Sequence, residues 1–165
     1  MNSTKKPAYA VKVKRSNAGL GLFADENIPK NKFIIEYFGR ELKPEEHYTS
    51  RSVYLFEINS KKTIDGSIRE NTARYINHSC KPNCEVEIKK GSVLISSIKN
   101  IKKGEELNYD YGKEFWNEHI KPKGCKCESC ISKRQKRLRK WLKLANSALR
   151  SSVIGLAATY PKKIR

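Results

Sequence analysis

The residues best suited to chemistry lie in one stretch, from Asn71 to Cys84, which reads NTARYINHSCKPNC. This stretch places amide, imidazole, guanidinium, hydroxyl and thiol groups close together and shows no amphipathic period. Burying such groups without hydrogen-bond partners would cost roughly 2–7 kcal/mol each, so a plain packing segment would not contain so many of them. We therefore expect a turn-rich segment that grips a polar ligand.

A second set of reactive side chains is the cysteine cluster of Cys125, Cys127 and Cys130. In a reducing compartment, cysteines spaced this closely indicate metal ligands rather than disulfides. Three thiolates leave a tetrahedral zinc ion one ligand short. Cys80 and Cys84 are the two remaining cysteines of the chain.

Composition restricts the partners of the chain. Its 165 residues include 35 Lys and Arg against 17 Asp and Glu, a formal net charge of +18. Such a field favours polyanions or acidic surfaces. No apolar run approaches a membrane-spanning length, and Met1–Ala10 has lysines but no apolar region behind them. We therefore expect an intracellular protein with no export signal and no membrane association.

The elements that must position these groups are short strands. Alternating or apolar runs predict strands over Tyr9–Lys14, Phe33–Gly39 and Val53–Ile58. Residues 85–90 and 92–98 alternate on either side of Lys90-Gly91, which predicts a hairpin. Short strands with many turns indicate a mostly β domain with short helices. Gly19-Leu20-Gly21 is either an ordinary tight turn or a place where the backbone approaches a ligand closely.

The segment Asn77–Asn83 (NHSCKPN) closely resembles the signature of SET-domain protein lysine methyltransferases. Three further segments match the family in order: Gly19–Gly21, Glu36–Gly39 (EYFG) and Glu106–Gly112 (ELNYDYG). The resemblance implies a SET fold, a β-clip of several small sheets. In that fold a pseudoknot threads the C-terminal segment beneath a loop and brings the signature motifs together. No cysteine-rich segment precedes the motifs, so we expect a stand-alone SET protein with a short post-SET zinc segment.

The resemblance also implies the cofactor, S-adenosylmethionine (AdoMet), and its contacts. By match to the family, the residues expected to bind it are Gly19, Leu20, Gly21, Tyr54, Arg74, Asn77, His78 and Tyr111. For His78 the implied contact is largely through the backbone. Tyr54 could equally be a plain strand tyrosine, and Arg74 could instead pair with a carboxylate such as Asp65 or Asp110.

Three tyrosines are the expected catalytic residues. The resemblance implies that Tyr37 lines the channel for the substrate lysine and that the Tyr111 hydroxyl lies near the transferring methyl group. Tyr109 occupies a position where the family has Tyr or Phe, and a hydroxyl there favours mono- or dimethylation. An aromatic channel would desolvate the lysine ammonium, lower its pKa and align the nitrogen, so no dedicated general base is required.

The resemblance gives Cys80 as the fourth zinc ligand beside Cys125, Cys127 and Cys130. The spacing departs from the commonest family pattern, because only two residues separate Cys127 from Cys130. Cys84 is the alternative fourth ligand, and a buried free thiol is its expected state.

We divide the chain into a SET domain over residues 9–118, a post-SET zinc segment over 119–131 and a basic amphipathic helical tail over 132–165. Leu138, Trp141, Leu142, Ala145 and Leu149 recur on one helical face. This face could dock on the SET core, the basic side chains could contact DNA or an acidic nucleosome face, or the helix could lie on a membrane surface. Docking and polyanion contact are the preferred interpretations. Residues 151–165 are expected to be loosely ordered.

We therefore predict an AdoMet-dependent protein lysine methyltransferase that acts as a monomer on a histone tail or another basic protein. The expected location is chromatin or the nucleus for a eukaryotic or host-targeted protein, and otherwise the cytoplasm. The alternative is a catalytically inactive, zinc-stapled module that binds DNA or chromatin. Retention of Tyr37, Asn77, Tyr109 and Tyr111 together favours the enzyme.

Overall fold

The computed structural model describes residues 6–46 and 49–157, with side chains described as far as residue 147. The chain divides after Glu128 into two compact units. The strands of the first unit are β1 (Val11–Ser16), β2 (Gly19–Ala24), β3 (Phe33–Tyr37), β4 (Arg40–Glu41), β5 (Leu55–Asn59), β6 (Lys62–Asp65), β7 (Asn77–His78), β8 (Cys84–Lys89), β9 (Ser92–Ser97) and β10 (Asn108–Tyr109). The helical elements are two 3-10 turns (Pro44–Glu46 and Thr72–Tyr75), the short helix α1 (Lys113–Phe115), which continues as one π-helical turn (Trp116–Ile120), and α2 (Glu128–Ala157).

The strands form four small sheets, with the orders β1-β2, β3-β9-β8, β4-β6-β5 and β10-β7. This confirms the prediction of a mostly β domain built from several small sheets. The two-residue strands β7 and β10 pair in parallel, whereas the other sheets are antiparallel.

The hydrophobic core lies between β2, β3 and β9. Leu22, Ile34, Ile35, Val93 and Ile95 are almost completely buried. Four consecutive residues of β3, from Ile34 to Tyr37, are buried, so this strand is covered on both faces as its apolar run predicted. Tyr37, the last residue of β3, is therefore held by a rigid strand.

The hairpin of β8 and β9 is confirmed. Lys90 and Gly91 both have positive φ, of 50° and 77°, which is the backbone of a two-residue hairpin turn that matches strand twist. The Gly19–Gly21 segment is the start of β2, and the turn precedes it at Asn17 and Ala18. Gly19 has φ 124°, a conformation that side-chain-bearing residues rarely adopt.

In the second unit the structure describes one element, helix α2. The basic side chains between Lys133 and Lys143 are exposed, and so are Leu138 at 57% and Trp141 at 63%. Residues 151–157, which were expected to be loosely ordered, continue helix α2, and residues 158–165 lie outside the described part. Within the described residues, we find no helix with the length and apolar character needed to cross a bilayer.

Candidate active site and metal centre

Two short parallel strands bring the signature motifs side by side. β7 pairs with β10 so that Asn77 lies opposite Asn108 and His78 opposite Tyr109. The pairing continues past the strands, because the Ser79 amide donates to the Tyr109 carbonyl at 3.0 Å. The meeting of the two motifs that the resemblance implied is therefore present.

Asn83 braces this pairing from the end of the first motif. Its side-chain amide donates to the Glu106 carbonyl at 2.8 Å, and its Oδ1 accepts the Asn108 amide at 2.9 Å. Asn83 is buried, so these bonds satisfy polar atoms that water does not reach. Residues 23 and 25 positions apart are thereby fixed to one another.

The Asn77 side chain attaches the glycine segment to the same place. Its Nδ2 lies 2.9 Å from the Leu20 carbonyl, 3.1 Å from Ser16 Oγ and 2.8 Å from Glu106 Oε1. A β-carbon on Gly21 would overlap the same Glu106 oxygen and would lie 3.0 Å from Ser16 Cβ. With glycine at position 21, β2 can approach the Glu106 carboxylate without displacing that side chain.

Of the three predicted catalytic tyrosines, Tyr37 and Tyr109 are buried and Tyr111 is partly buried, and main-chain carbonyls accept hydrogen bonds from the hydroxyls of Tyr37 and Tyr111. The Tyr37 hydroxyl donates to the Tyr54 carbonyl at 2.6 Å, and the Tyr111 hydroxyl donates to the Ile76 carbonyl at 2.7 Å. The Tyr109 and Tyr111 ring centroids are 4.9 Å apart.

Burial raises the pKa of each of these three phenols above the ordinary value of 10.0. The Glu106 carboxylate raises the pKa of Tyr111 further, and Tyr111 raises that of Tyr37. All three hydroxyls are therefore protonated at neutral pH, and they serve as hydrogen-bond donors and dipoles rather than as bases.

A cavity of about 180 Å³ opens beside Tyr111. Its lining residues are Ala18, Asn77, His78, Tyr111, His119, Ile120, Lys123, Gly124, Cys125, Lys126 and Cys127. Asn77, His78 and Tyr111 come from the two signature motifs, and the segment after α1 forms the opposite wall. Ala18 and the Asn77–Leu20 hydrogen bond place the Gly19–Gly21 segment at the rim.

Tyr54 and Arg74 are not among the described residues that line this cavity. The Arg74 guanidinium lies over the rings of Tyr54 at 5.2 Å and Tyr75 at 4.7 Å. It donates to the Ser67 carbonyl and the Tyr75 hydroxyl, neither of which is a carboxylate. Its Nε is buried without a hydrogen-bond partner among the described residues, so a donor is left for a ligand on this side.

The four predicted metal ligands form one group. The Sγ atoms of Cys80, Cys125, Cys127 and Cys130 all lie within 4.8 Å of one another, and the Cys80 and Cys125 sulfurs are 3.9 Å apart. Four thiolates about 2.3 Å from a tetrahedral zinc ion lie about 3.8 Å from one another. The donor set and spacing therefore fit a structural zinc site.

Cys84 is separate from this group. It is 1% exposed, and its thiol donates to Asn83 Oδ1 at 3.4 Å. Burial raises the pKa of the Cys84 thiol to about 12, so it stays protonated and is a poor metal ligand. The expected buried free thiol fits this geometry.

His78 lies between the phenols and the cysteines. Its Nδ1 accepts the Tyr111 amide at 3.2 Å, and its Nε2 is 3.5 Å from Cys80 Sγ. Burial lowers the pKa of the imidazole, and the Asp110 carboxylate, 3.6 Å from Nδ1, opposes that shift. The sequence analysis predicted no partner for the His78 side chain.

Sequence reasoning missed the far wall of the cavity, including His119 and Lys123, and the role of the Glu106 side chain. His119 packs on Phe115 with ring centroids 4.6 Å apart. Their position in the sequence, after the second motif and before the cysteines, could have indicated that they lie near the site. The π-helical turn over Trp116–Ile120 follows no regular sequence period, so the sequence could not predict which of these side chains face the cavity.

Comparison with known proteins agrees with this architecture. The SET domain family description matches residues 19–112, more than half of the chain. Human "Histone-lysine N-methyltransferase 2D" is 36% identical over 137 residues, which cover 75% of this chain and 2% of the human protein. The "Histone-lysine N-methyltransferase, H3 lysine-4 specific" of Chaetomium globosum is 41% identical over 124 residues, which cover 67% of this chain and 12% of that protein.

Among solved structures, a humanized mutant of the Chaetomium thermophilum Polycomb Repressive Complex 2, bound to an inhibitor, matches with a TM-score of 0.58 and 35% identity. The match covers 64% of this chain and 15% of the solved one. The chain thus spans a small part of each of these relatives. The motif pairing, the fold and the family match together identify it: the chain belongs to the SET domain family.

Proposed function

We propose that this protein is a protein lysine methyltransferase that takes its methyl group from AdoMet. The observation that carries the proposal is the position of Tyr111. Its ring lines the cavity beside Asn77 and His78 and packs at 4.9 Å on Tyr109, so the candidate cofactor site and the aromatic cluster meet at one side chain. The names of the relatives support the same activity.

AdoMet, when bound, supplies an electrophilic methyl group on a sulfonium. We propose that Asn77, His78 and Tyr111 hold it together with Gly19-Leu20-Gly21. We also propose that Tyr54 and Arg74 contact it on another side, through the Arg74 Nε that lacks a hydrogen-bond partner among the described residues. The cavity of about 180 Å³ is smaller than the roughly 300–1,000 Å³ of typical small-molecule sites. We therefore propose that the cofactor extends beyond this cavity, past Tyr111 towards Tyr54 and Arg74.

The phenols would prepare the acceptor amine. A lysine ammonium has a pKa of about 10.4 in water, and desolvation among the rings of Tyr37, Tyr109 and Tyr111 would lower it. Once its proton has left to solvent, the neutral amine would be held in line with the methyl group, so that the N–C bond could form as the C–S bond breaks and S-adenosylhomocysteine leaves. Correct alignment of such a pair can account for about 7–11 kcal/mol of barrier, which is why buried, tethered phenols suit the task.

The product is proposed to be mono- or dimethyl-lysine. Tyr109 is 9% exposed, and its protonated hydroxyl occupies space beside Tyr111. An amine that already carries methyl groups would have to turn within this space to present its lone pair again. The hydroxyl opposes that rotation.

Zinc is proposed to occupy the cluster of Cys80, Cys125, Cys127 and Cys130. Because Cys125 and Cys127 also line the cavity, an ion there would hold the far wall in place. Structural zinc contributes directly to folding free energy.

The proposed substrate is a histone tail or another lysine-rich protein, met on chromatin in the nucleus. Of the 35 basic residues, 11 follow Glu128, whereas none of the 17 acidic residues does. The exposed basic face of α2 is therefore proposed to contact DNA or an acidic nucleosome face. Such a contact would offset the repulsion between this basic protein and a basic substrate.

The test is incubation of the zinc-loaded protein with labelled AdoMet and a panel of free histones, nucleosomes and other basic proteins. Mass spectrometry identifies the modified lysine and the number of methyl groups. Methyl transfer by the wild type and its loss in Tyr111→Phe are expected. AdoMet binding without transfer to any member of the panel would instead favour a catalytically inactive chromatin-binding module.

A further inference from the structure

The His78 imidazole is engaged at both of its nitrogen atoms. Nδ1 lies 3.2 Å from the main-chain nitrogen of Tyr111, which has only a proton to offer. Nδ1 must therefore be the acceptor, and in the neutral ring the proton resides on Nε2. That proton faces Cys80 Sγ at 3.5 Å.

Packing holds the ring in this orientation. The His78 side chain is 7% exposed. Its centroid lies 5.6 Å from that of Tyr111 and 5.3 Å from that of Trp116, on two different elements. A side chain enclosed in this way has little freedom to exchange its two partners.

The two partners belong to different sites. Cys80 is one of the four clustered sulfurs, and Tyr111 is the phenol that lines the cavity and donates to the Ile76 carbonyl. A thiolate bound to a metal ion accepts a hydrogen bond more strongly than a neutral thiol does. Metal on the cluster would therefore favour the Nε2–H form, which leaves Nδ1 free to receive the Tyr111 amide.

We propose that His78 is a positioning residue that couples metal occupancy of the cysteine cluster to the placement of Tyr111. The hydrogen bond from Nε2 stabilises the metal-bound Cys80 thiolate, and the acceptor at Nδ1 fixes the backbone of Tyr111. The consequence for catalysis rests on the proposed function, whereas the coupling itself does not.

The chain offers a matched pair of variants. In His78→Gln the side-chain amide nitrogen reaches the position of Nε2, so the hydrogen bond to Cys80 is kept and the hydrogen bond from the Tyr111 amide is lost. In His78→Asn the Oδ1 takes the position of Nδ1, so the hydrogen bond from the Tyr111 amide is kept and the hydrogen bond to Cys80 is lost. Thermal unfolding of both zinc-loaded variants controls for general loss of structure.

Zinc affinity is measured by competition with a chromophoric chelator. Outer-shell partners of metal ligands typically contribute about 10- to 100-fold in affinity, so His78→Asn is expected to lose about that much and His78→Gln much less. Equal zinc affinities for the two variants at equal unfolding temperature would overturn the proposal.

Nuclear magnetic resonance tests the coupling in the wild type without any methyl transfer. The ring nitrogen shifts of His78 are expected to show a bare Nδ1 and a protonated Nε2, and removal of zinc is expected to shift the Tyr111 amide resonance. A protonated Nδ1, or a Tyr111 amide unmoved by zinc removal, would contradict it. If both signatures hold in a protein that transfers no methyl group, the coupling stands and the proposed function fails.

Discussion

The phenol of Tyr111 donates a 2.7 Å hydrogen bond to the main-chain carbonyl of Ile76, the residue that immediately precedes the Asn77–His78 strand. The second signature motif thus holds the first through a side chain as well as through the β7–β10 pairing. This bond fixes the direction of the hydroxyl that is proposed to meet the transferring methyl group.

Tyr111→Phe is expected to lower kcat by about 10²-fold, because a displacement of roughly 1 Å in a catalytic pair has that effect. The free energy of unfolding should fall by only about 1–3 kcal/mol, the cost of leaving the Ile76 carbonyl without its partner. Steady-state kinetics and denaturant unfolding measure the two quantities. Unchanged kcat with AdoMet binding intact would contradict the role of Tyr111.

Tyr109→Phe is expected to shift the products towards a higher methylation state. The ring and its packing on Tyr111 at 4.9 Å remain, and only the hydroxyl that restricts rotation of the amine is removed. Mass spectrometry of a peptide over a time course gives the product distribution, and Tyr9→Phe, outside the phenol cluster and the proposed cofactor site, is the matched control. An identical distribution for Tyr109→Phe and wild type would exclude this explanation of product control.

Cys80→Ser is expected to remove zinc from the protein, whereas Cys84→Ala is expected to keep one zinc ion per chain. Cys80 belongs to the sulfur group, and Cys84 is a buried thiol outside it. Elemental analysis after dialysis against a weak chelator gives the metal content. Full zinc retention in Cys80→Ser, or its loss in Cys84→Ala, would disprove the assignment.

Stability is expected to fall as the solution becomes alkaline. Burial raises the pKa of the Cys84 thiol from 9.0 to about 12, so the folded state retains a proton that the unfolded state gives up first. The stabilising contribution is complete below the unfolded pKa near 9 and is lost as pH rises towards 12. Urea unfolding between about pH 8 and about pH 11 should show this decline, and Cys84→Ala should show a flatter one. The raised pKa values of Tyr37, Tyr109 and Tyr111 also make the folded state lose stability as the pH rises.

DNA binding through α2 is expected to depend steeply on salt, with log K changing by about −0.9 per neutralised phosphate for each unit of log salt concentration. Replacing Lys136, Lys140 and Lys143 with Gln should reduce this slope by up to about 3. A matched control replaces three exposed lysines of the first unit, Lys61, Lys89 and Lys102, and should leave the slope nearly unchanged. Equal slopes for the two triple variants would exclude α2 as the contact.

Local features of the fold could be predicted from the sequence because their causes are local. Alternation in residues 85–90 and 92–98, with Lys90-Gly91 between them, gave the β8–β9 hairpin. The apolar run that begins at Phe33 gave a strand covered on both faces. Both follow from side-chain period and turn chemistry.

The parallel pairing of β7 with β10 could not be derived in this way. Each strand has two residues, too few for any period, and the pairing depends on side chains such as Asn83 that bridge distant positions. It was expected only through the family resemblance. The far wall of the cavity was missed because its residues lie within or after a π-helical turn. The continuation of α2 over residues 151–157 was not predicted because it extends a helix that earlier positions had already nucleated.

The spacing of the clustered cysteines sets an order of events during synthesis. Cys80 emerges from the ribosome 45 residues before Cys125 and 50 before Cys130, after which the sulfur group of four can first assemble. Until then a nascent chain exposes both signature motifs with one wall of the cavity missing. A chain that ends before residue 125 would retain the phenols and the glycine segment but would lack three of the four clustered sulfurs.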